Sequence, residues 1–317
     1  MQGLQNLGST CAINSLIQII CRTSKLREAI LLENLPENAT LANELKEILN
    51  LMYIQNKSLI PNRFINRLYK SLDGIFIKGE QIDIGELWIY LFDIIATEIS
   101  TDYVIEIKDD KLQNECNTIL SKFNNNKTSK WLETSQGILV NIIKCLECNN
   151  HIHNFEPFSS ISLDIVNDNN PDIIMMLKDY LSSEERVADE WKCENCNKCT
   201  NYVKTVKIWK APTVIVFIIK RFINAYEKNS KSIKINKTLC FKSGGVLGEN
   251  NDVNYVISGI GMHYGNLNGG HYNALCHVGE GSFVIYDDLN IANLNNEIIN
   301  TVLDSNRDAY MIVYERL

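Results

Sequence analysis

The chain has 317 residues, of which 45% are hydrophobic and 22% charged, the balance of a globular protein long enough to bury a sizeable core. A formal net charge of -7, spread along the chain and not held in a tail, disfavours a nucleic-acid binder and suits a basic protein or peptide partner. No apolar stretch approaches the roughly 18 residues that span a bilayer, and the start, MQGLQNLGST, lacks the basic and apolar regions of a signal peptide. Ten cysteines are therefore expected to be reduced thiols, metal ligands or catalysts, not disulfides.

In chain order, the first element is a helix. Ile13, Leu16, Ile17 and Ile20 follow helical spacing, with Thr10 as the expected N-cap. Cys11 falls at its first turn, where the positive end of the helix dipole is expected to lower a thiol pKa. A buried cysteine that merely begins a helix is the alternative. LANELKEILNLMYIQ and GELWIYLFDIIATEI continue the helical pattern, while Asp109 to Glu133 is polar and reads as an irregular insertion. Past Gly137, ILVNIIKCLECN, FSSISLDIV, VKTVKIWK and TVIVFIIKRF are rich in β-branched residues and predict strands. A short helix, PDIIMMLKDYLSSEE, is expected to enter through Pro171. The last third alternates strands with Gly/Asn turns and ends in DAYMIVYERL. Helices first and strands later indicate an α+β fold.

Two constellations carry chemistry. Cys145-x-x-Cys148 and Cys193-x-x-Cys196 have the spacing of zinc knuckles, although 44 residues separate the pairs, more than in an ordinary ribbon. Strand-rich arms on both sides can bring them together. Four reduced surface thiols are the alternative, and Cys199, His151 and His153 are lower-ranked ligands. The second constellation joins the two ends of the chain. His271, one of five histidines, follows Gly269-Gly270 and opens the strand pattern HYNALCHV; sixteen residues on, Asp287 and Asp288 end a second strand pattern. A cysteine at a helix start facing a histidine and a carboxylate on strands is the papain-type arrangement, in which imidazole deprotonates the thiol and the carboxylate orients the ring. Asp288 is read equally as a support for Asp287 or a solvated carboxylate, and His277 as a strand residue.

These residues also carry a family resemblance. GLQNLGSTCAINSLIQ resembles the cysteine box of the ubiquitin-specific proteases, and MHYGNLNGGHYNALC with FVIYDDLNI resembles their histidine box. EQIDIGELWIYLFD is similar to the glutamine-aspartate box, with Ile82 where a second Gln is usual. CLEC, FSSISLDI, LKDYLSSEE, WKCENC and APTVIVFIIKRF follow the order of the zinc-bearing insertion, and DAYMIVYER matches the end. The resemblance covers nearly the whole chain. It implies one papain-like α+β catalytic domain, with a helical thumb at about residues 1–135, zinc-bearing fingers at about 136–215 and a palm sheet at about 216–317.

The implied activity is thiol-dependent hydrolysis of the bond after the C-terminal Gly-Gly of ubiquitin, through a thioester. The implied catalytic residues are Cys11 as nucleophile, His271 as base and then acid, Asp287 as its orienting carboxylate and Asn6 as an oxyanion donor. Substrate contacts are expected from Gln81, Asp83, Glu86, His263, Tyr264, Gly269 and Gly270. His263 and Tyr264 are placed on a loop closing over the substrate tail, and the glycines are expected to leave room for that tail. Cys145, Cys148, Cys193 and Cys196 would hold one structural zinc ion. Ser9 for a usual Asn and Ala12 for a usual aromatic are departures that remove no catalytic group. The expected partners are ubiquitin and ubiquitinated proteins, with no nucleic acid and no membrane, for a monomer inside the cell, in cytoplasm or nucleus. The rival readings are a protease for another ubiquitin-like modifier, a zinc-stabilised adaptor that binds without cutting, and a zinc-ribbon nucleic-acid module.

Overall fold

The computed structural model describes residues 2–57, 59–104, 110–186, 191–222, 224, 227–243, 251–266 and 269–317. Helix α1 (Cys11–Arg22) is buried on nearly every side, because apolar residues surround it and its polar Asn14, Ser15 and Gln18 point into the interior as well. Around it pack α2 (Ser24–Leu31), α3 (Thr40–Leu49), α4 (Asn62–Ser71) and α5 (Ile84–Ile99). Thr10 occupies the N-cap position of α1, but its side chain does not cap the helix. The Thr10 hydroxyl instead accepts from Leu7 N–H and donates to Asn6 Oδ1, so it shapes the preceding loop. Asp83 is the cap of α5, accepting from the N–H groups of Gly85 and Glu86.

Of the stretch from Asp109 to Glu133, Asp109 lies outside the described residues, and 110–133 are more ordered than their polarity predicts. A two-stranded ribbon of β1 (Thr101–Asp102) and β2 (Lys127–Thr128) brackets α6 (Lys111–Phe123), and α7 (Lys130–Ser135) follows. Asp110 caps α6 through Leu112 and Gln113 N–H. Leu112, Cys116, Ile119 and Leu120 recur at helical spacing and pack on a sheet that supplies Ile138, Val140, Ile142, Phe155 and Trp209. The polar residues are the outer face of this helix.

That sheet has four antiparallel strands in the order β4-β3-β7-β6, formed by β3 (Gly137–Cys145), β4 (His151–Phe158), β6 (Ser183–Arg186) and β7 (Tyr202–Lys210). Between its halves, β5 (Ile161–Leu163) and α8 (Ile173–Tyr180) belong to the larger core instead. The α8 cap is Asp172, which accepts from Met175 N–H, so Pro171 lies just outside the helix.

The second sheet has eight strands. Its order is β13-β12-β11-β10-β14-β8-β5, where β8 is Val214–Ile219, β10 Asn251–Asn266, β11 Gly269–His277, β12 Phe283–Asp287, β13 Asn290–Leu294 and β14 Ala309–Arg316. The remaining strand, β9 (Thr238–Ser243), pairs with the first part of β10, and α9 (Asn296–Asp304) covers the far face. Both faces are buried. Along β8, Val214, Val216 and Ile218 meet the helical layer while Ile215, Phe217 and Ile219 meet α8 and α9, the period-two alternation of a strand read as a continuous apolar run. Arg221, fully buried just after β8, donates to the carbonyls of Ala309, Asn229, Lys231 and Asn306 and ties the strand end to two loops.

Candidate active site

Cys11 begins α1 and lies against β11, close to the backbone N–H of Tyr272. His271 and Asp287 come from β11 and β12, whose pairing from Ala274–Tyr286 outward sets the two side chains beside each other. His271 Nε2 and Asp287 Oδ1 are 2.5 Å apart, and both side chains are about two-fifths exposed, at 41%. The contact commits Nε2 and leaves Nδ1 for a second partner.

Asp288 is not a free carboxylate. Asn6 Nδ2 donates to one of its oxygens at 2.9 Å and Asn14 Nδ2 to the other at 2.7 Å. The backbone is drawn in as well, with Leu4 N–H donating to Asp288 C=O at 2.9 Å. Gly3 permits this: a Cβ there would lie 2.6 Å from the Asp288 carbonyl oxygen. Asn6 is further held through its Oδ1, which accepts from Gly8 and Thr10 N–H. Asn14 was invisible as a site residue in the sequence, since a lone amide on an apolar helix predicts only a satisfied core polar group.

The helix dipole does not decide the state of the thiol. Burial pushes the Cys11 pKa up, opposed by the Tyr272 N–H and reinforced by the Asp288 charge, with the N–H groups of Ala12 and Cys11 pulling weakly down. The expected lowering is therefore reversed, because Cys11 is only 4% exposed.

A cleft of about 370 Å³ adjoins, lined by Gln81, Asp83, Glu86, Phe222, His263 and Tyr272. Gln81 accepts from Gly270 N–H at 2.7 Å and donates back to Gly270 C=O, matching both backbone groups of the strand edge that β12 does not cover. Asp83 is committed to its cap, whereas Glu86 is exposed as a residue, and the partial desolvation of its carboxyl, with the Asp83 charge, raises its pKa. His263 and Tyr264 are strand residues of β10, paired with Tyr272 and His271, and not parts of a loop. The His263 ring is 2% exposed, packed against Phe222 and Tyr272, and its pKa is lowered to about 4 by burial and by Lys228. Gly270 is needed for that packing: a Cβ there would overlap His263 Nε2. A Cβ at Gly269 would meet, among the described residues, Asn266 Oδ1 at 4.0 Å, an ordinary contact. Gly270 has an internal neighbour in His263, beside the room for a substrate tail expected of it.

The four cysteines of the second constellation meet at adjoining hairpin tips. Their sulfurs all lie within 4.8 Å of one another, with Cys145–Cys196 at 3.9 Å and Cys148–Cys193 at 3.7 Å. A tetrahedral site with metal–sulfur bonds of about 2.3 Å needs sulfurs about 3.8 Å apart, so the set fits such an ion. The two knuckles are built alike. Asn149 and Asn197, each just after its second cysteine, adopt positive φ of 56° and 55° and donate to the carbonyls of Cys145 and Cys193. Cys199, His151 and His153 lie outside the cluster.

Comparison with known proteins agrees with this architecture. The family model described as ubiquitin carboxyl-terminal hydrolase matches residues 2–314, so the chain belongs to the ubiquitin carboxyl-terminal hydrolase family. It is a deubiquitinating cysteine peptidase of the ubiquitin-specific protease type. Among its relatives, ubiquitin carboxyl-terminal hydrolase 4 of Arabidopsis thaliana is 27% identical over 99% of this chain and 93% of its own length. Ubiquitin carboxyl-terminal hydrolase 2 of Bos taurus is 24% identical over 99% of this chain and 55% of its own. In fold, the chain is similar to the SAGA Ubp8/Sgf11/Sus1/Sgf73 DUB module bound to ubiquitin aldehyde, with a TM-score of 0.77 and 23% identity over 100% of this chain and 70% of that one. The same module bound to monoubiquitin gives a TM-score of 0.75 at 21% identity, over 100% and 69% of the two chains.

Proposed function

We propose that Cys11 attacks the carbonyl carbon of the C-terminal glycine of ubiquitin, with His271 as base, Asp287 orienting it and Asn6 donating to the oxyanion. The observation that carries this reading is the His271–Asp287 pair beside the first turn of α1. With Nε2 on Asp287, His271 Nδ1 takes the thiol proton as the sulfur–carbon bond forms, and the carbonyl electrons move onto oxygen. Asn6 and the Cys11 N–H meet that charge. Collapse breaks the carbon–nitrogen bond, and the imidazolium gives its proton to the leaving amine. Water, deprotonated by the same ring, then hydrolyses the thioester and restores the thiol.

The cleft bearing Gln81, Asp83, Glu86 and His263 receives the substrate tail, with Tyr264, Gly269 and Gly270 as further contacts of that tail, and ubiquitin is the modifier it takes. Cys145, Cys148, Cys193 and Cys196 hold one zinc ion as thiolates, a closed set with no open position for chemistry. The reduced state of all ten cysteines supports an intracellular setting, and among the described residues no helix is long and apolar enough to cross a membrane. All proposed catalytic groups come from one chain, in keeping with a monomer.

The test is labelling by ubiquitin carrying a C-terminal electrophile. A single adduct on Cys11, lost in Cys11→Ala, is expected; an adduct on another cysteine refutes the assignment. Preference for an electrophilic probe built on a different ubiquitin-like modifier would retain the chemistry and change the substrate.

A further inference from the structure

Strand β11 has an uncovered edge beside the candidate active site. Its pairing with β12 starts at Ala274, so the residues before that point have β10 on one side and, among the described residues, no strand on the other. Groups two residues apart on a strand point the same way. Tyr272 turns its N–H toward Cys11, and Gly270 turns its N–H and C=O outward on the same edge. The two residues are roughly 7 Å apart along the strand, so this edge leads to the thiol. Gln81 closes it. Its Oε1 accepts from Gly270 N–H at 2.7 Å and its Nε2 donates to Gly270 C=O. A primary amide thus supplies the donor and acceptor that a neighbouring strand would supply.

The bridge spans the cleft between the start of α5 and β11, which Gln81, Asp83, Glu86, His263 and Tyr272 line. Gln81 is exposed, and the backbone before it turns at Gly79 with a φ of 95°. Its side chain can therefore swing away without breaking packed core. We propose that Gln81 is a latch: it holds the Gly270 backbone in the resting protein, and an extended peptide entering along β11 displaces it and takes over both hydrogen bonds. The inference rests on the reading that this cleft receives the C-terminal tail of ubiquitin. A conjugated tail has a folded protein at each end and cannot be threaded beneath a closed bridge, so the bridge opens in every turnover. Each bond is exchanged for one of the same kind, and the cost falls on entry, as competition for Gly270. A side chain that competes with substrate in this way reduces apparent affinity by the fraction of time the edge is open and leaves the chemical step unchanged.

The experiment compares the whole protein with Gln81→Ala and with Gln81→Asn, whose amide is one methylene shorter. Hydrogen exchange of the Gly270 amide, followed by NMR, reads the bridge itself. Steady-state kinetics on ubiquitin joined through an isopeptide bond to a fluorescent lysine peptide reads its effect. One hydrogen bond is worth about fivefold in an equilibrium constant, so Gly270 exchange should be faster by about fivefold or more in both variants. KM should fall by about fivefold, with kcat within about twofold of wild type. Unchanged exchange would show that no bridge holds Gly270, and a raised KM would make Gln81 a net contact of the tail; either result overturns the proposal. Faster exchange with no hydrolysis by any of the three proteins would leave the bridge established and overturn the substrate assigned to the cleft, and the latch with it.

Discussion

Asp288 links three parts of the site that lie far apart in sequence. Its oxygens hold Asn6 and Asn14, and its backbone carbonyl holds Leu4. Removing it in Asp288→Ala leaves the buried Asn14 amide only its long bond to the Leu4 carbonyl, at 3.4 Å, at a cost of about 1–3 kcal/mol. It also removes the acceptor that holds Asn6 Nδ2, so with Asn6 in its proposed role turnover should fall with little change in KM; melting curves and steady-state kinetics on a fluorogenic ubiquitin substrate check both halves. A fall confined to stability would separate Asp288 from the oxyanion donor. The thiol gives a second prediction at this scale. Burial holds the Cys11 pKa above the ordinary thiol range, so the resting thiol is protonated at neutral pH, and in the proposed mechanism it is activated only as His271 accepts its proton. Alkylation of Cys11 by iodoacetamide should therefore keep accelerating as pH rises beyond the range in which an exposed cysteine levels off. A plateau reached at neutral pH would indicate a preformed ion pair instead.

At the scale of elements, the two C-x-x-C turns and α6 show how short sequence signals are read only with their partners. Both knuckles repeat Cys-x-x-Cys-Asn, and the Asn supplies the left-handed turn that aims both sulfurs inward. The four-stranded sheet then decides that the tips meet, through the Cys145–Tyr202 register of β3 and β7. Metal analysis should find one zinc per chain, and Cys193→Ser should lower metal content and melting temperature together, because these hairpin tips have little apolar surface to bury and the ion supplies the cross-link. Activity should fall by loss of ubiquitin binding more than by loss of turnover. Helix α6 was obscured by its polar face and by the Asn-rich turn after it. Its apolar spacing at Leu112, Cys116, Ile119 and Leu120 was present in the sequence, and Asp110 was a cap signal. Asp110→Ala should cost about 1 kcal/mol, measurable in denaturant melts.

For the whole molecule, the sheet faces set stability. Arg221 satisfies four carbonyls from three separate segments, at full burial. Arg221→Met would take a donor from each of them, leaving the Asn306 carbonyl its bond from Ile233 N–H, and a loss of about 3 kcal/mol in chemical denaturation is expected, each unmet group contributing about 1–3 kcal/mol. His263 sets an acid limit. Its folded pKa, about 4, lies below the unfolded value of about 6.5, so folding excludes its proton. The stability it contributes is complete above pH 6.5 or so and is lost as pH falls toward 4. His263→Phe should flatten that part of the stability–pH curve relative to wild type; an unchanged slope would mean that other groups set it.

Local pattern determined much of this protein. The helical stripe after Cys11, the β-branched runs, the paired C-x-x-C turns, and the His271 and Asp287 strand ends were legible because each depends on spacing along a single element. The tertiary structure decided the rest. Whether the helix dipole or burial governs Cys11 depends on how much water the packed sheet excludes, a sum over residues hundreds of positions away. Asp288 became a half-buried, hydrogen-bonded anchor and not a solvated charge because Asn6, Asn14 and the close approach at Gly3 converge on it. Gly270 answers to His263 across the β10–β11 pair before it answers to any substrate. Desolvation, register and convergent hydrogen bonds are properties of surroundings, and surroundings exist only once the chain has folded.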